Sequence, residues 1–441
     1  MGEPENGRLR ARADRIASRA GQASRASSAR AARDASAEYH PKTLEYLARA
    51  ALDHRKGLGQ YFTPRSVRSK LLDLLPKRRY LRILDPACGS GEFLLSARER
   101  YPSATVAGWE LDRALIDVAQ EVAPGAQVLL RDGLQAPDIP GAPGTYDLVI
   151  GNPPYFEFQP DPATRRRFAD VISGRPNIFS CFLRAGLALL RERGVLAFVV
   201  PQSMNNGAYF KALRRSIRSQ AKIVALHPIE DTGVFFDAQQ TVMLLVLEKG
   251  PRSDDFIFRR SGLEIFSPDT RSLELAFEGK VTLADLGCTV RTGRIVWNQW
   301  KEALTRDAAE GEPLLWAHNI DDRGLRFPFE HPKKPQYVKA HDPDVGPAIL
   351  VNRITGASSR ATIRSAVVPD GMRFFAENHV NVVFPPRPGG ATLFPARRTA
   401  ASLADICRQI GSHDAIRAMR LVTGNSQVSS KELLHLLPLA L

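Results

Sequence analysis

Five consecutive residues, Gly151-Asn152-Pro153-Pro154-Tyr155, hold the densest chemistry in this chain. Two successive prolines freeze the backbone and leave carbonyls without neighbouring N–H donors. Asn152 carries one acceptor oxygen and two donor hydrogens on a short side chain. Its oxygen and the Pro153 carbonyl can both accept from one exocyclic amino group. That would turn the nitrogen lone pair away from its ring and toward an electrophile. Tyr155 offers a flat face on which a planar base can stack. The reaction suited to the loop is alkylation of an amino nitrogen on a planar acceptor. The competing reading is a rigid strand exit with Tyr155 as a core aromatic.

A second constellation lies upstream. Asp85-Pro86-Ala87-Cys88-Gly89-Ser90-Gly91 follows an apolar run and precedes a helical one. Its glycines permit a tight turn and close backbone approach to a ligand. Glu110 comes 19 residues after Gly91, the spacing at which an acid at the next strand end reaches ribose hydroxyls. Asp132 closes a third run, where it can accept from an adenine amino group. Each acid alone could be an ordinary helix cap. Three in register mark the carboxyl edge of an open sheet, where ligands of such folds bind. NAD is a rival ligand, but the loop lacks the third glycine of the dinucleotide fingerprint.

These residues need a scaffold of alternating elements. Strands are expected at Leu81–Leu84, Thr105–Glu110, Ala126–Asp132, Tyr146–Ile150, Gly194–Val200, Ile223–Leu226 and Thr241–Leu247. Helices are expected at Gly91–Arg100, Asp112–Val122 and Asn177–Leu190. Seven strands in this rhythm imply an α/β fold with a mostly parallel sheet covered by helices on both faces. Thr63 before Pro64 reads as a helix N-cap, a role that competes with ligand binding. A turn at Gly250 and Pro251 ends the rhythm. Short strand-like runs, many prolines and few helices follow, and Ser429–Pro438 reads as a capped helix leading into an edge segment. The chain therefore divides into a basic Ala/Arg/Ser-rich arm (1–40, disordered or loosely helical), an α/β domain (41–250) and a mixed α+β domain (251–441).

The 441 residues carry 61 Lys+Arg against 47 Asp+Glu, a net charge of +14. That balance favours a polyanionic partner, with arginine-rich codon usage as the bland alternative. Residues before 251 hold 36 basic and 26 acidic side chains, and those from 251 onward 25 and 21. Arg165, Arg166 and Arg167 form one cluster, and Lys211, Arg214, Arg215, Arg218 and Lys222 a second; both suit phosphate contacts or a solvated helix face. Base reading would fall to the last domain, with Arg353, Asn378, Asn425 and Gln427 as candidates. Cys88, Cys181, Cys288 and Cys407 form no CxxC pair, so neither a zinc site nor a disulfide framework is expected. No metal is needed for the chemistry. No apolar run approaches membrane-spanning length, so a soluble, cytoplasmic setting is expected.

The sequence resembles the Taq-type (gamma-class) S-adenosylmethionine-dependent adenine-N6 DNA methyltransferases of restriction–modification systems. The matching pieces, in that family's order, are Gly59–Pro64, Asp85–Gly91, Gly108–Asp112, Arg131–Gly133, Asp147–Tyr155, Asn177–Phe182, Gly194–Ser203 and Gly233–Thr241. The resemblance implies a Rossmann-like methyltransferase sheet over about 57–250, followed by a target-recognition domain. It implies that Thr63, with Asp85, Ala87, Gly89 and Gly91 of the loop, holds the methionine end of S-adenosylmethionine. Glu110 would bind the ribose and Asp132 the adenine. Asn152 and Pro153, with Pro154, would grip the target amino group beside the cofactor. Tyr155 would stack on a base flipped from duplex DNA, with Phe235 (or the adjacent Phe236) packing against it. The same loop suits an RNA base or a protein glutamine as the alternative acceptor. Any cognate restriction endonuclease is expected on a separate chain, because the segment before Gly59 is too short for a nuclease domain.

Overall fold

The computed structural model describes residues 36–441 except 58, 175, 206, 230–240, 251, 330, 354–362, 387–401 and 423–426. Its main sheet has seven strands: β1 (Arg82–Asp85), β2 (Thr105–Glu110), β3 (Gln127–Leu130), β4 (Tyr146–Gly151), β5 (Leu190–Pro201), β6 (Ala221–Pro228) and β7 (Val242–Lys249). Their order across the sheet is β3-β2-β1-β4-β5-β7-β6. β1 pairs in parallel with β2 and β4, β2 with β3, and β4 with β5. This is a Rossmann-like, mostly parallel sheet. The order reverses beside β1 and β4, so the carboxyl ends of those two strands open onto one crevice.

Each expected strand forms. β5 is longer than expected and starts at Leu190, directly after the helix Ile178–Leu189. From Gly194 to Pro201 all of its residues are buried, as a continuous apolar run in a doubly covered sheet requires. Local chemistry sets the helix starts. Asp112 accepts from the Ala114 N–H to open the helix Arg113–Val122. Asn177 accepts from the Phe179 N–H to open Ile178–Leu189. Gly91, at φ 86°, precedes Glu92–Arg100, and a Cβ there would sit 3.0 Å from the Ala119 backbone. Only glycine meets both demands.

Two compact units make up the chain. One holds Met1–Val200, Thr232–Gln239 and Leu244–Pro251; the other holds Pro201–Asp231, Gln240–Met243 and Arg252–Leu441. In the second unit a four-stranded antiparallel sheet runs Thr289–Thr292, Val380–Phe384, Ala348–Asn352, Ser365–Val368. Both of its faces are buried. Ile349 and Val351 meet Ile406, Ile410 and Leu433 on one side. Ala348 and Leu350 meet Ala366 and Phe374 on the other, following the period of two along a strand. Ser429 and Glu432 cap the helix Ser430–Leu436 reciprocally, and Leu439 then bridges to Val281. No helix among the described residues is long and apolar enough to cross a membrane.

Leu148 sits fully buried on β4, paired to Ile83 and Val195. Leu148→Ala should lower the unfolding free energy by about 2–5 kcal/mol. Urea unfolding of the two proteins, followed by far-ultraviolet circular dichroism, measures the difference.

Candidate active site

The crevice holds a cavity of ≈ 430 Å³ lined by residues of the first unit. Thr63, Asp85, Ala87, Gly89, Glu110, Asp132, Asn152 and Pro154 all line it. Gly91 lies behind the wall, at the start of its helix. Pro153 and Tyr155 are not in the lining, and Phe235 falls outside the described residues. The remaining wall is apolar and includes Phe62, Phe156, Ile178 and Phe182.

Buried and half-buried acids gather at the carboxyl ends of β1 and β2. Asp85 accepts from the Ala87 N–H at 3.0 Å and is 2% exposed. Burial, helped by the nearby Glu110 charge, pushes its carboxyl up to about 8. Glu110 accepts from the N–H groups of Gly89, Leu111 and Asp112, each at 2.8 Å. Burial still raises its pKa above the usual carboxylate range. One lone pair on Oε2 remains for a further donor. Asp132 receives the Leu134 N–H at 2.9 Å through Oδ1. Burial pulls Asp112 upward, but hydrogen bonds from Gln60 at 2.8 Å and His54 at 3.1 Å outweigh it and lower its pKa.

Asn152 sits where β4 ends. A Cβ on the preceding Gly151 would lie 2.5 Å from Asp85 Oδ1, so no larger residue fits there. The Asn152 amide donates to the Tyr61 carbonyl at 2.9 Å. Its oxygen is reached by the Tyr155 hydroxyl. That hydroxyl also lies 2.8 Å from the Val199 carbonyl, so its single proton serves one acceptor fully at a time. Burial raises the Tyr155 hydroxyl well above its ordinary pKa, keeping it a neutral donor. The ring is half-buried and meets Phe179 edge-on at 6.2 Å.

Segment 36–64 was read from the sequence partly as an arm, and it supplies much of this wall. Its helix Pro41–Arg49 brings Thr43 to Ser90 and Tyr46 to Gln60. Tyr39, Thr43 and Tyr46 recur at helical spacing, the one local signal of that role. The buried Arg68 guanidinium donates to the Thr63 carbonyl at 3.0 Å and pairs with Glu92 at 2.7 Å. Arg131, another lining residue, lies over the Trp109 ring.

Several expectations need correction. Thr63 does not cap a helix: Pro64 occupies that position, and the buried Thr63 hydroxyl has no partner. Arg214 is 5% exposed and donates to the Met204 and Gly207 carbonyls, so it is unsuited to a phosphate contact. Arg218 is paired with Glu264 at 2.5 Å. Arg165, Arg166 and Arg215 are exposed, whereas Arg167 pairs with Asp138. Arg353 is half-buried and donates to the Asn378 carbonyl at 3.2 Å; Asn378 is half-buried too. Neither projects as a reader of a groove. Gln427 is exposed and Asn425 lies outside the described residues.

The Asp85 shift has a measurable sign. A folded carboxyl raised to about 8 holds a proton that the unfolded chain releases near the ordinary aspartate value of 3.8. Stability therefore falls as pH rises through that window. Asp85→Asn should remove this slope. Urea midpoints at pH 5, 6, 7 and 8 without ligand would check it; parallel curves for the two proteins would contradict the assignment.

The model of the Eco57I restriction-modification methylase family matches residues 110–235. Type II methyltransferase M.CvrRI of Paramecium bursaria Chlorella virus XZ-6E is 26% identical over 300 residues, spanning 65% of this chain and 74% of that protein. Modification methylase CviBIII of Paramecium bursaria Chlorella virus NC1A is 25% identical, spanning 50% and 58%. Type II methyltransferase M.MamI of Microbacterium ammoniaphilum is 34% identical over 157 residues, spanning 28% and 43%. For most such relatives the match spans roughly half of their length. The match to the family model begins at Glu110 and contains the Asn152 loop. Over these stretches the chain is similar to restriction–modification methyltransferases.

Proposed function

We propose that the chain methylates the N6 amino group of an adenine flipped out of duplex DNA, at a specific site that a cognate endonuclease would otherwise cut. In this reading residues 41–250 form the methyltransferase domain, 251–441 the target-recognition domain and 1–40 an arm. The observation that carries it is the Asn152 carboxamide, held by the Tyr61 carbonyl and the Tyr155 hydroxyl at the cavity edge.

The residues present fit the cofactor. The orphaned, buried Thr63 hydroxyl and the Asp85–Gly89 loop suit its amino-acid end. Glu110 has one open lone pair for a ribose hydroxyl, and Asp132 stands where an adenine amino group would donate. When bound, S-adenosylmethionine supplies an electrophilic methyl carbon on a sulfonium.

This chain's residues would do the rest. Asn152 Oδ1 and the Pro153 carbonyl accept the two N6 hydrogens and direct the nitrogen lone pair along one line. The new N–C bond forms as the methyl–sulfur bond breaks, and the nitrogen then releases one proton to water. Orientation is the main contribution, because a neutral amine needs only in-line placement. The Tyr155 hydroxyl can donate to the Val199 carbonyl instead, which frees an Asn152 lone pair for the incoming amine. Extrusion of the base costs a few kcal/mol, and stacking on the half-buried Tyr155 ring offsets part of it. Phe235 is proposed as its counterpart on sequence grounds alone.

Duplex DNA incubated with methyl-labelled cofactor should carry label on adenine N6. Label on cytosine, RNA or protein instead would defeat the reading. Asn152→Ala should reduce kcat by roughly 100-fold or more, as loss of a preorganised polar group in a closed site does. Cofactor affinity, measured by isothermal titration, should change only a few-fold. Tyr155→Ala should behave alike.

A further inference from the structure

Four exposed residues in the second unit have no role in the site described above. The chain has four tryptophans. Trp109 and Trp316 are each 1% exposed, but Trp297 is 42% and Trp300 38% exposed. Between them stand Asn298 and Gln299, both exposed. Neither amide side chain has a hydrogen-bond partner among the described residues. Tryptophan is highly buried on average, so two on one exposed turn call for a partner.

The turn is built on a fixed base. Ile295, 1% exposed, donates its N–H to the Ala376 carbonyl at 3.2 Å and accepts from the Asn378 N–H at 2.9 Å. The Gln299 and Trp300 N–H groups both donate to the Val296 carbonyl, at 2.9 and 3.2 Å. The Ala303 N–H then donates to the Trp300 carbonyl at 2.9 Å. The backbone is thus pinned on both sides while the four side chains face solvent.

We propose that Trp297-Asn298-Gln299-Trp300 is a DNA-reading tip, in which the amides read base edges and the indoles pack on bases or sugars. This rests on duplex DNA being the substrate. Asn and Gln match adenine N6 and N7 in the major groove by bidentate hydrogen bonds. Indole faces stack on any base. Lys301 Nζ stands 5.4 Å from the Trp297 ring centroid and puts a cation beside the tip; Arg294 is held by the Asp342 carbonyl and Asp344 instead. Glu302 is the one acid among residues 291–302. A protein partner would be expected to meet exposed aliphatic side chains as well. Here the neighbouring aliphatics, Ile295 and Val296, are buried and half-buried.

The tip also replaces the readers expected from sequence. Arg353 donates to the Asn378 main-chain carbonyl and the Asn378 side-chain oxygen is buried, while the Asn298 and Gln299 side chains are exposed.

The test is selection of bound duplexes from a random-sequence pool by the full chain, followed by sequencing. The unaltered protein should enrich a defined motif. The double variant Asn298→Ala/Gln299→Ala should enrich a more degenerate one, with discrimination at one or two positions reduced about tenfold. Trp297→Ala and Trp300→Ala should each weaken binding to the enriched duplex about tenfold, while cofactor affinity and melting temperature stay unchanged. Trp297→Phe should recover most of the loss. An identical motif and affinity for all variants, or no motif for the unaltered chain, overturns the proposal. So does a loss confined to self-association in sedimentation, which would make the turn a protein contact. Selection reads binding alone: a motif bound but never methylated would defeat the proposed function while supporting the tip.

Discussion

The catalytic half depends on the orientation of one carboxamide. Asn152 must present its oxygen outward, and an amide can sit either way round in nearly the same space. The Tyr61 carbonyl decides the matter, because it accepts from the NH₂ end. Flipping the group would set the Asn152 and Tyr61 carbonyl oxygens against each other and lose the hydrogen bond between the two residues. The Tyr61 carbonyl is itself held from behind. Phe62 and Thr63 are fixed through their carbonyls by the Tyr39 hydroxyl and Arg68. A Cβ on Gly59 would lie 2.9 Å from the Pro154 Cβ, so the close approach there needs glycine. Residues far apart in the chain thus lock one side-chain torsion.

The acids around the cavity explain why the ligand should be cationic. Asp85 and Glu110 both have raised pKa values, with burial as the first cause and mutual repulsion between acids as a further one. Without a ligand, Asp85 is comfortable only when protonated, up to about pH 8. A sulfonium and an ammonium entering beside it reverse that preference, since opposite charge favours the ionised form. A cation bound beside Asp85 would therefore lower its pKa and favour release of its proton.

How much of this was legible follows from how local each signal is. The strand rhythm and the acids at strand ends are written within single segments, and the strands form at the expected places. The partners of Asn152 are not: Tyr61 is 91 residues away and contributes only backbone, which no side-chain pattern announces. The walls Ile178 and Phe182 looked like ordinary helix positions. Arg214 was misread although a signal existed. Phe210, Leu213, Arg214 and Ile217 fall at i, i+3, i+4 and i+7, the inward face of the helix Lys211–Gln220. Counting charge across that stretch hid the period. Thr63 was ambiguous between cap and ligand, and the choice turned on a one-residue shift of a helix start.

Net charge, rather than pairing, separates the two halves. From residue 251 onward the charges largely cancel, 25 basic against 21 acidic. Many of those arginines and lysines are tied to local acids: Arg373 to Glu312, Lys339 to Glu310, Lys280 to Asp414. A surface paired this way projects little field, so it cannot gather DNA from a distance. Whatever it recognises must be met by neutral donors, acceptors and flat rings, whose interactions act only in contact. Residues before 251 carry the larger excess, 36 against 26, with Arg165, Arg166 and Arg215 exposed. In the proposed reading, phosphate attraction, which is sequence-blind and salt-dependent, would be concentrated with the chemistry. Discrimination, which needs short range, would be left to a half whose own field does not blur it.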